Sequence, residues 1–512
     1  MKKITMICMA AMLLLAASCK KEEQVNENGV GEFSFSVKTE TSDSDSKTHL
    51  AGTSVVWDND DVIKVINKDG TDLDFTFSKY VMSSDASTAE FNSENVTADF
   101  FKPPYTGYYP SDLNPSNYSL LQTQTYSAEG FAAGANPMIA TNANNKNLYF
   151  KNLCGVLKLQ LCSNEEVKVE KIIVRSKSEE KLWGNGSINS EGAFTVTNGG
   201  SNTIELDCSQ ADPEVILSPS KTTPTTFFIV LPVGTLSNGF EVEVIDKDSH
   251  GNWTVGTTKD NTIIRSRIRQ MPVCTVKIGV QLYAGGPYWA TCNLGATSPT
   301  KYGDYYAWAE TEPYYTSLSW NDPTMPTVDN WKSGKENGYC WKSYPNNSGT
   351  SMSNDSGFTE WYPVPYDDKK ILKLSNDAAY QYYDVPECEL NEGRWRIPTE
   401  DQLKNMTNNT TRIYYSDYKG TGIAGWLYKG NTTGYSDRSI FLPLAGCFLN
   451  KSTFYQGEGD YMSATRSSTA SSPFTNAVAF HRHLYIDNTE YRYFDALHRY
   501  FGETIRPIKV NN

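Results

Sequence analysis

Two histidines near the end of the chain have the spacing of a metal-binding pair. His481 and His483 are one residue apart, so on a β-strand both imidazoles would face the same side. Such pairs bind Zn²⁺ or Cu²⁺ when a third ligand completes the site, and no neighbouring motif supplies that ligand. We interpret both residues as ordinary strand histidines, and metal use by the pair is the alternative that the sequence leaves open.

The cysteines do not have the spacing of a zinc ribbon or a thioredoxin-like centre, because no CxxC pair occurs. Cys8 and Cys19 lie at the N-terminus. The others are Cys154, Cys162, Cys208, Cys274, Cys292, Cys340, Cys388 and Cys447. Eight thiols allow too many disulfide pairings for the sequence to choose among them. We predict no catalytic residue, no metal and no cofactor.

Tyrosine and tryptophan are concentrated between residues 302 and 361, among Gly, Asn, Ser and Pro and without a sustained period. Such rings bury a large area with little loss of side-chain entropy, and they can stack on sugar rings or contact a partner protein. Binding of a carbohydrate or protein ligand is assigned to Trp331, Trp341 and Trp361.

The N-terminus resembles a bacterial lipoprotein signal. Two lysines precede an apolar run that is too short to span a bilayer and that ends in Leu15-Ala16-Ala17-Ser18-Cys19. We predict that residues 1–18 are a signal peptide, that Cys19 carries the lipid and that residues 19–30 form a tether. The lipid would attach the chain to the cell outer membrane with its folded part exposed on the surface. A plain secretory signal is the alternative.

The composition argues against nucleic-acid binding and favours β-structure. The 512 residues carry a net charge of -13, and an acidic surface repels phosphate backbones. Aromatic residues make up 12% of the chain. Together with many Gly and Asn residues, they are typical of loop-rich β-proteins.

Alternating segments predict the elements that must position these residues. Phe33, Phe35 and Val37 share one face of a first strand, because polar residues alternate with them. Further strands are predicted at 55–57, 62–66, 73–77, 148–150, 156–161, 167–174, 204–206, 226–233 and 240–245. Two helix starts are predicted. One is the capping box Thr399-Glu400-Asp401-Gln402, and the other is the segment Ser375-Asn376-Asp377-Ala378-Ala379, in which Asp377 is placed to interact with the helix dipole.

The N-terminal half resembles the fimbrillin-like lipoproteins, the precursors of type V pili. The motifs that carry the resemblance are Lys47-Thr48-His49-Leu50, Ser54-Val55-Val56-Trp57, Asp60-Asp61-Val62-Ile63-Lys64-Val65, Tyr108-Tyr109-Pro110, Phe150-Lys151-Asn152-Leu153-Cys154-Gly155-Val156-Leu157-Lys158-Leu159, Leu182-Trp183-Gly184 and Gly186-Ser187-Ile188. The resemblance implies two transthyretin-like β-sandwich halves, over residues 31–150 and 151–276.

Residues 277–512 resemble the "major paralogous" lipoprotein domain, which is related in fold to formylglycine-generating enzymes and C-type lectins. The motifs are Trp289-Ala290-Thr291-Cys292-Asn293-Leu294-Gly295-Ala296, Tyr302-Gly303-Asp304-Tyr305-Tyr306-Ala307-Trp308, Asp377-Ala378-Ala379, Trp395-Arg396-Ile397-Pro398-Thr399, Ile440-Phe441-Leu442-Pro443-Leu444-Ala445-Gly446 and Thr504-Ile505-Arg506-Pro507-Ile508. The resemblance implies an α+β, C-type-lectin-like domain. It also implies that Tyr305, Tyr306 and Trp308, which belong to one of these motifs, are packed in the core of that domain.

Two features of those relatives are not expected here. The oxidases bind copper through a close cysteine pair, whereas Cys388 and Cys447 are far apart in this sequence, so the chain is not predicted to be an enzyme. Trp320-Asn321-Asp322 spells the calcium motif of sugar-binding lectins, but it lies early, in an insert between residues 311 and 374. We interpret that match as a coincidence.

The predicted fold class is therefore mainly β, with two sandwich halves followed by an α+β lectin-like domain. The resemblance implies a minor or tip subunit of a type V pilus that acts as an adhesin. Its partners would be other pilus subunits, joined by donor-strand exchange, and a ligand on another surface. The tip is favoured because the C-terminal domain offers no spare strand to donate. The alternative is a non-polymerising, outer-membrane-anchored glycan-binding lipoprotein.

In fimbrillin-like precursors a protease removes the first strand, often after Arg. The first Arg of this chain is Arg175, so we predict cleavage after Lys47, or within residues 40–48, beside a polar loop. N-terminal sequencing of pili sheared from the cell surface should then begin at Thr48 or a near neighbour. A chain that remains uncut in the membrane fraction, acylated at Cys19, would contradict the pilus assignment.

Overall fold

The computed structural model describes residues 30–39, 50–51, 54–55, 57–82, 85–114, 116–128, 130–132, 134–189, 192–322, 325–340, 342–344, 367, 371–383, 395–454, 457–467, 480–489 and 492–509. Strands dominate this part of the chain, as the sequence predicted. Among the helices of these residues, none has the length and apolar character that crossing a membrane requires.

The strands up to residue 152 are β1 (Val30–Thr39), β2 (Leu50–Ala51), β3 (Ser54–Val55), β4 (Val62–Ile66), β5 (Asp72–Met82), β6 (Asp85–Thr97), β7 (Tyr105–Tyr109), β8 (Tyr118–Leu120), β9 (Thr123–Ser127), β10 (Gly130–Phe131), β11 (Met138–Ala143) and β12 (Asn147–Asn152). Seven of them form a closed sheet in the order β1-β12-β11-β7-β4-β5-β6. The sheet closes because β1 is paired along both of its edges. Its interior is filled by aromatic and branched side chains around Trp57.

The next strands are β13 (Gly155–Cys162), β14 (Val169–Ser176), β15 (Gly184–Ile188), β16 (Phe194–Asn198), β17 (Thr203–Asp207), β18 (Thr225–Leu231), β19 (Gly234–Leu236), β20 (Phe240–Asp246), β21 (Asn252–Gly256), β22 (Asn261–Ile263) and β23 (Ile268–Thr275). Alternation in β20 buries Phe240, Val242 and Val244, as the sequence predicted. Strands β8, β9 and β10 pair with this group or with each other rather than with the closed sheet.

The remaining strands are β24 (Gly279–Gln281), β25 (Tyr288–Ala290), β26 (Leu318–Asp322), β27 (Met325–Val328), β28 (Trp395–Arg396), β29 (Thr410–Tyr415), β30 (Gly425–Gly430), β31 (Ser439–Pro443), β32 (Cys447–Leu449), β33 (Ser452–Phe454), β34 (Gly459–Arg466), β35 (Phe480–Ile486), β36 (Arg492–His498), β37 (Gly502–Glu503) and β38 (Ile508–Lys509). The α-helices among the described residues are α1 (Ala378–Tyr382) and α2 (Glu400–Asn408), and 3₁₀ turns lie at Ala98–Phe100, Leu374–Asn376 and Tyr418–Gly420.

The predicted helix start at Thr399 is confirmed, and a helix also begins within the second predicted segment, with Asp377 as its N-cap. The Thr399 hydroxyl accepts a hydrogen bond from the backbone N–H of Gln402, whose side chain accepts one from the backbone N–H of Thr399. The Asp377 carboxylate caps α1 by accepting from the backbone N–H of Tyr380. It also accepts from the N–H of Ile397 at 2.9 Å, so it joins α1 to the segment after β28.

One ten-stranded sheet runs from the second group of strands into the third. Its order is β10-β9-β17-β14-β20-β21-β24-β25-β38-β28, and the pairing of Asn252 with Gly279 links the two groups. Val276 and Ile278 precede β24 and are buried in the core of the second group. The segment around residue 277 therefore belongs to both groups of strands.

A buried arginine organises the last group of strands. Arg506 is fully buried, and its Nε donates to the Asn293 side chain at 2.8 Å. Its Nη1 donates to the carbonyls of Ala290 (3.1 Å) and Thr291 (2.7 Å), and its Nη2 donates to the Phe441 carbonyl at 2.8 Å. Three chain segments are thus joined by one guanidinium, whose planar fork suits several acceptors at once.

Replacing Arg506 with Lys should destabilise this part of the protein by about 3 kcal/mol, because a single ammonium cannot reach all of these buried acceptors. Calorimetry should show the thermal transition lowered by roughly 6–10 °C. Arg175→Lys is the matched control, because Arg175 is half-exposed and pairs with Glu241 across 3.6 Å at the surface. Equal melting temperatures for both variants would show that the Arg506 contacts do not determine stability.

Candidate functional site

The first strand fills a gap between two other strands of the closed sheet. One edge of β1 pairs antiparallel with β6, from Val30 opposite Thr97 to Lys38 opposite Thr88. The other edge pairs in parallel with β12, with Val37 opposite Leu148. We call the space between β6 and β12 the acceptor groove. Without β1, both walls of this groove would expose unpaired backbone groups.

Alternate side chains of β1 point into the core. Phe35 and Val37 are completely buried, and Thr39 is nearly so, whereas Ser34 is exposed. The Phe35 ring packs edge-on against Phe75 at 5.0 Å between centroids and against Tyr105 at 5.1 Å. The predicted inward face is confirmed at Phe35 and Val37, while the side chain of Phe33 lies outside the described part.

β1 is held by backbone pairing on both edges and by the burial of alternate side chains, and neither kind of contact requires one particular sequence. Burial of a Phe and a Val side chain contributes roughly 1.5–3 kcal/mol each, and backbone hydrogen bonds on two edges add to this. Main-chain pairing accepts any sequence, whereas the pockets for alternate side chains select apolar residues at every second position. A donor with this pattern would complete the same sheet.

A buried carboxyl, that of Asp61, lies directly before β4. Asp61 accepts a hydrogen bond from the Tyr109 hydroxyl at 2.6 Å and another from the backbone N–H of Asp58 at 2.7 Å. These bonds hold the loop that carries Trp57, whose ring contacts Phe91 in β6. Burial raises the pKa of Asp61 to about 6, although both hydrogen bonds act in the opposite direction.

Most described rings of the aromatic-rich segment form a core. Tyr305, Tyr306 and Trp308 are buried, as predicted, and Tyr314 stacks on Tyr339 with 4.5 Å between centroids. The other fully or nearly fully buried rings are Tyr302, Tyr315 and Tyr344. Burial of these rings, rather than exposure, is therefore the main use of the aromatic residues between 302 and 344.

The three tryptophans assigned to ligand binding differ in what the structure shows. Trp331 is half-buried, with its ring 6.1 Å from Tyr339 and 6.4 Å from Tyr315, centroid to centroid. Trp341 and Trp361 lie outside the described residues, as do Cys19 and Lys47. Of these predicted site residues, Trp331 is therefore the one that lies in the part of the chain that the structure describes.

The two histidines are buried opposite carboxylates. His481 Nε2 lies 3.0 Å from a Glu503 oxygen, and His483 Nδ1 lies 3.1 Å from Asp460 Oδ1. Burial lowers the pKa of His481 well below its usual value and raises that of Glu503 to about 8. Burial would also lower the pKa of His483, but the hydrogen bond to Asp460 raises it. Each histidine therefore faces one buried carboxylate from another strand.

The described residues contain no group of three His, Cys, Asp or Glu side chains arranged to hold a metal ion. Sequence reasoning found the histidines but missed Asp460 and Glu503. The two carboxylates come from β34 and β37, and no spacing motif relates them to β35.

Other motifs also have structural explanations. Trp320-Asn321-Asp322 lies within β26, which forms a hairpin with β27.

Gly420, Gly422 and Gly425 have the spacing of a dinucleotide-binding loop. In the structure these glycines lie between β29 and the start of β30, and no helix follows them there. Among the described residues, the free thiols include Cys154, Cys162, Cys208, Cys292, Cys340 and Cys447.

A cavity of about 250 Å³ lies where the second and third groups of strands meet. Lys168 and Lys419 on its wall each lie 3.3 Å from Asp248, so both lysines share this carboxylate. Tyr418 is stacked on Phe441 with 3.9 Å between centroids. The two lysines of this cavity are thus engaged in ion pairs within the protein.

No protein-family profile and no curated protein matches the chain. Among solved structures, a candidate cell adhesion protein from Bacteroides ovatus ATCC 8483 is similar over 47% of this chain and 91% of its own, with 12% identity and a TM-score of 0.30. A fimbrial protein from the same strain is similar over 93% of this chain and 98% of its own, with 11% identity and a TM-score of 0.23.

The tip fimbrial protein of Porphyromonas gingivalis, with a C-terminal truncation, is similar over 48% of this chain and 97% of its own, with 11% identity and a TM-score of 0.21. All three TM-scores lie below 0.5.

Asp61→Asn should change how the stability of the closed sheet depends on pH. The folded pKa of about 6 exceeds the usual 3.8, so the folded state keeps a proton that the unfolded state has lost between these values. Wild-type stability therefore falls as the pH rises from about 4 to about 6, by ~2 kcal/mol, and the Asn variant should not show this loss. Calorimetry over that range, with the exposed neighbour variant Asp60→Asn as control, measures it. Parallel curves for Asp61→Asn and wild type would contradict it.

Trp331→Ala should lower the melting temperature, because the half-buried ring packs against Tyr315 and Tyr339. We expect a loss of about 2 kcal/mol, less than for a fully buried Trp. An unchanged melting temperature together with weaker adhesion would show instead that the ring acts only as a ligand contact. Trp331→Phe, which retains an aromatic ring, is the conservative control.

Proposed function

We propose that the chain is a surface-anchored pilus subunit that acts as an adhesin and that joins its neighbour by donor-strand exchange. The observation that carries the proposal is the way in which β1 is paired and packed in the closed sheet. This strand is paired on both edges with β6 and β12, and it contributes Phe35 and Val37 to the core. Its removal would leave a groove that a second strand of the same alternating pattern fits.

Release of β1 requires a cut in the chain that follows it. The segment between β1 and β2 contains Lys47, where we place the cleavage, and it lies outside the described residues. Before the cut, Cys19 would hold the chain at the outer membrane through its lipid. After the cut, the lipidated segment and β1 would leave together, and the subunit would depend on its neighbour's donor strand for a complete sheet.

The C-terminal strands fit a receiving role better than a donating one. Trp289 of β25 and Arg396 of β28 both lie opposite Ile508 of β38, so β38 is paired on its two edges. The buried Arg506 side chain just before it opposes its release. On this basis we place the subunit at the pilus tip, where it receives a strand and presents residues 277–512 outward.

Ligand binding is proposed for the aromatic-rich segment, through Trp331, Trp341 and Trp361. The half-buried ring of Trp331 has a solvent-facing part next to a rigid aromatic core. Rigid, partly exposed rings suit binding to sugars or to a protein surface because little side-chain entropy is lost. A glycan and matrix-protein array probed with the full chain, and with Trp341→Ala and Trp361→Ala variants, tests this assignment.

The decisive experiment locks β1 in its groove. Val37 lies opposite Ala89 in β6, and both side chains are buried. Opposite residues on antiparallel strands have Cα atoms about 4.5–5.5 Å apart, within the span of a disulfide. In cells that express Val37→Cys/Ala89→Cys, we expect the subunit to be absent from sheared pili and to enter them after mild reduction.

The single variants Val37→Cys and Ala89→Cys are the controls, and both should assemble like wild type. Entry of the locked double variant into pili without reductant would exclude exchange of β1. If wild type itself never enters pili and stays uncut in the membrane, the chain is instead an anchored lipoprotein that binds its ligand without polymerising.

A further inference from the structure

A buried lysine and a buried glutamate meet where the second and third groups of strands join. Lys277 Nζ is in direct contact with Glu165 Oε1, and their side chains are only 11% and 6% exposed. Glu165 follows β13, and Lys277 lies between β23 and β24, so 112 residues of chain separate them. We infer that Lys277 and Glu165 form an intramolecular isopeptide bond between Nζ and the side-chain carboxyl carbon.

The backbone holds both residues in place. Val276, next to Lys277, donates its N–H to the Cys162 carbonyl at 2.7 Å. Glu165 donates its N–H to the Ser163 hydroxyl at 3.1 Å, and the following Glu166 donates to the Thr297 carbonyl at 2.7 Å. Groups fixed this closely react with a high effective concentration, because the entropy of bringing them together has already been lost on folding.

Burial is the influence on Lys277 that favours a neutral amine. It lowers the pKa of Lys277 to about 7, and the nearby charge of Arg506 acts in the same direction. The rings of Tyr383 and Trp395 lie 4.6 Å and 5.4 Å from Nζ, measured to the ring centroids, so aromatic side chains wall the amine. Aromatic walls also exclude the water that would hydrolyse a product amide.

Two hydroxyls activate the carboxyl. Tyr383 donates to Glu165 Oε1 at 3.3 Å, and Thr291 donates to Glu165 Oε2 at 3.1 Å. Burial raises the pKa of Tyr383 well above its usual value, so this hydroxyl keeps its proton. Donors aimed at both oxygens stabilise the negative charge that develops when an amine attacks the carboxyl carbon.

The step balances without an external reagent. Transfer of one proton from the ammonium to the carboxylate gives a neutral amine and a carboxylic acid. The nitrogen lone pair then attacks the carboxyl carbon of Glu165, and a C–N bond forms while the C–OH bond breaks. The leaving hydroxide takes a proton from the nitrogen, so one water molecule is released. The bond would connect the two groups of strands covalently, and it does not depend on the proposed pilus role.

Peptide mapping of the purified full chain tests the inference. Trypsin should fail to cut after Lys277, and residues 159–168 should be recovered joined to residues 270–301, with a mass equal to the sum of the two peptides minus one water. The intact chain should likewise be lighter by one water than its sequence predicts. Under denaturing electrophoresis the internally linked chain should migrate differently from an unlinked variant.

Lys277→Arg should abolish both the linked peptides and the water loss, since a guanidinium is a poor nucleophile. The matched control is Lys168→Arg. Lys168 lies close to Glu165 in the sequence but pairs with Glu214 and Asp248, so its replacement should leave the link intact. Complete tryptic cleavage after Lys277 in the wild-type chain, with an intact mass that shows no water loss, would overturn the inference and leave an ion pair only. This readout needs no variant to fold.

Discussion

The buried guanidinium of Arg506 is the interaction on which the last part of the fold depends. Its donors bind acceptors on the segment that begins with β25 and on β31, while its own backbone leads into β38. A charge placed in such a site must have all of its hydrogen bonds satisfied, because an unpaired buried charge costs several kcal/mol. The segments that contribute these carbonyls can therefore adopt few arrangements relative to one another, and short strands with long connections become a defined core.

Buried ionisable groups recur in the other parts of the chain, and each stands at a structural junction. Asp61 connects the Trp57 loop to β7 through Tyr109, and Glu165 meets Lys277 where two groups of strands join. Such groups contribute little net stability compared with apolar residues, but they penalise any packing that leaves them unpaired. In a protein built from many short strands, that free-energy penalty favours the native strand pairing over other possible strand pairings.

The first strand follows a different rule. Among the described side chains of β1, Phe35, Val37 and Thr39 are the buried ones, so the strand is held there by uncharged side chains and by backbone hydrogen bonds. If these residues were replaced by others of the same pattern, no unpaired charge would be left behind at those positions. The contrast with β38, which lies next to the buried Arg506, is the physical reason for proposing exchange of the first strand and not of the last.

The sequence by itself determined the elements that depend on local pattern. Alternation predicted β4 and β20 and the inward face of Phe35 and Val37, and the Thr399 capping box predicted the start of α2. These features could be read because their physical causes lie within a few residues: side chains alternate along a strand, and a cap satisfies the first turn of its own helix. The burial of the rings at 305–308, which was predicted from the family motif that contains them, is confirmed as well.

Only the tertiary structure decided which distant residues meet. The partners of His481 and His483 come from other strands, and Lys277 meets Glu165 across more than a hundred residues. The closure of the first sheet likewise depends on β1 pairing with both β6 and β12. No local spacing encodes these contacts, because they arise from the order in which strands pack and from the need to satisfy every buried polar group.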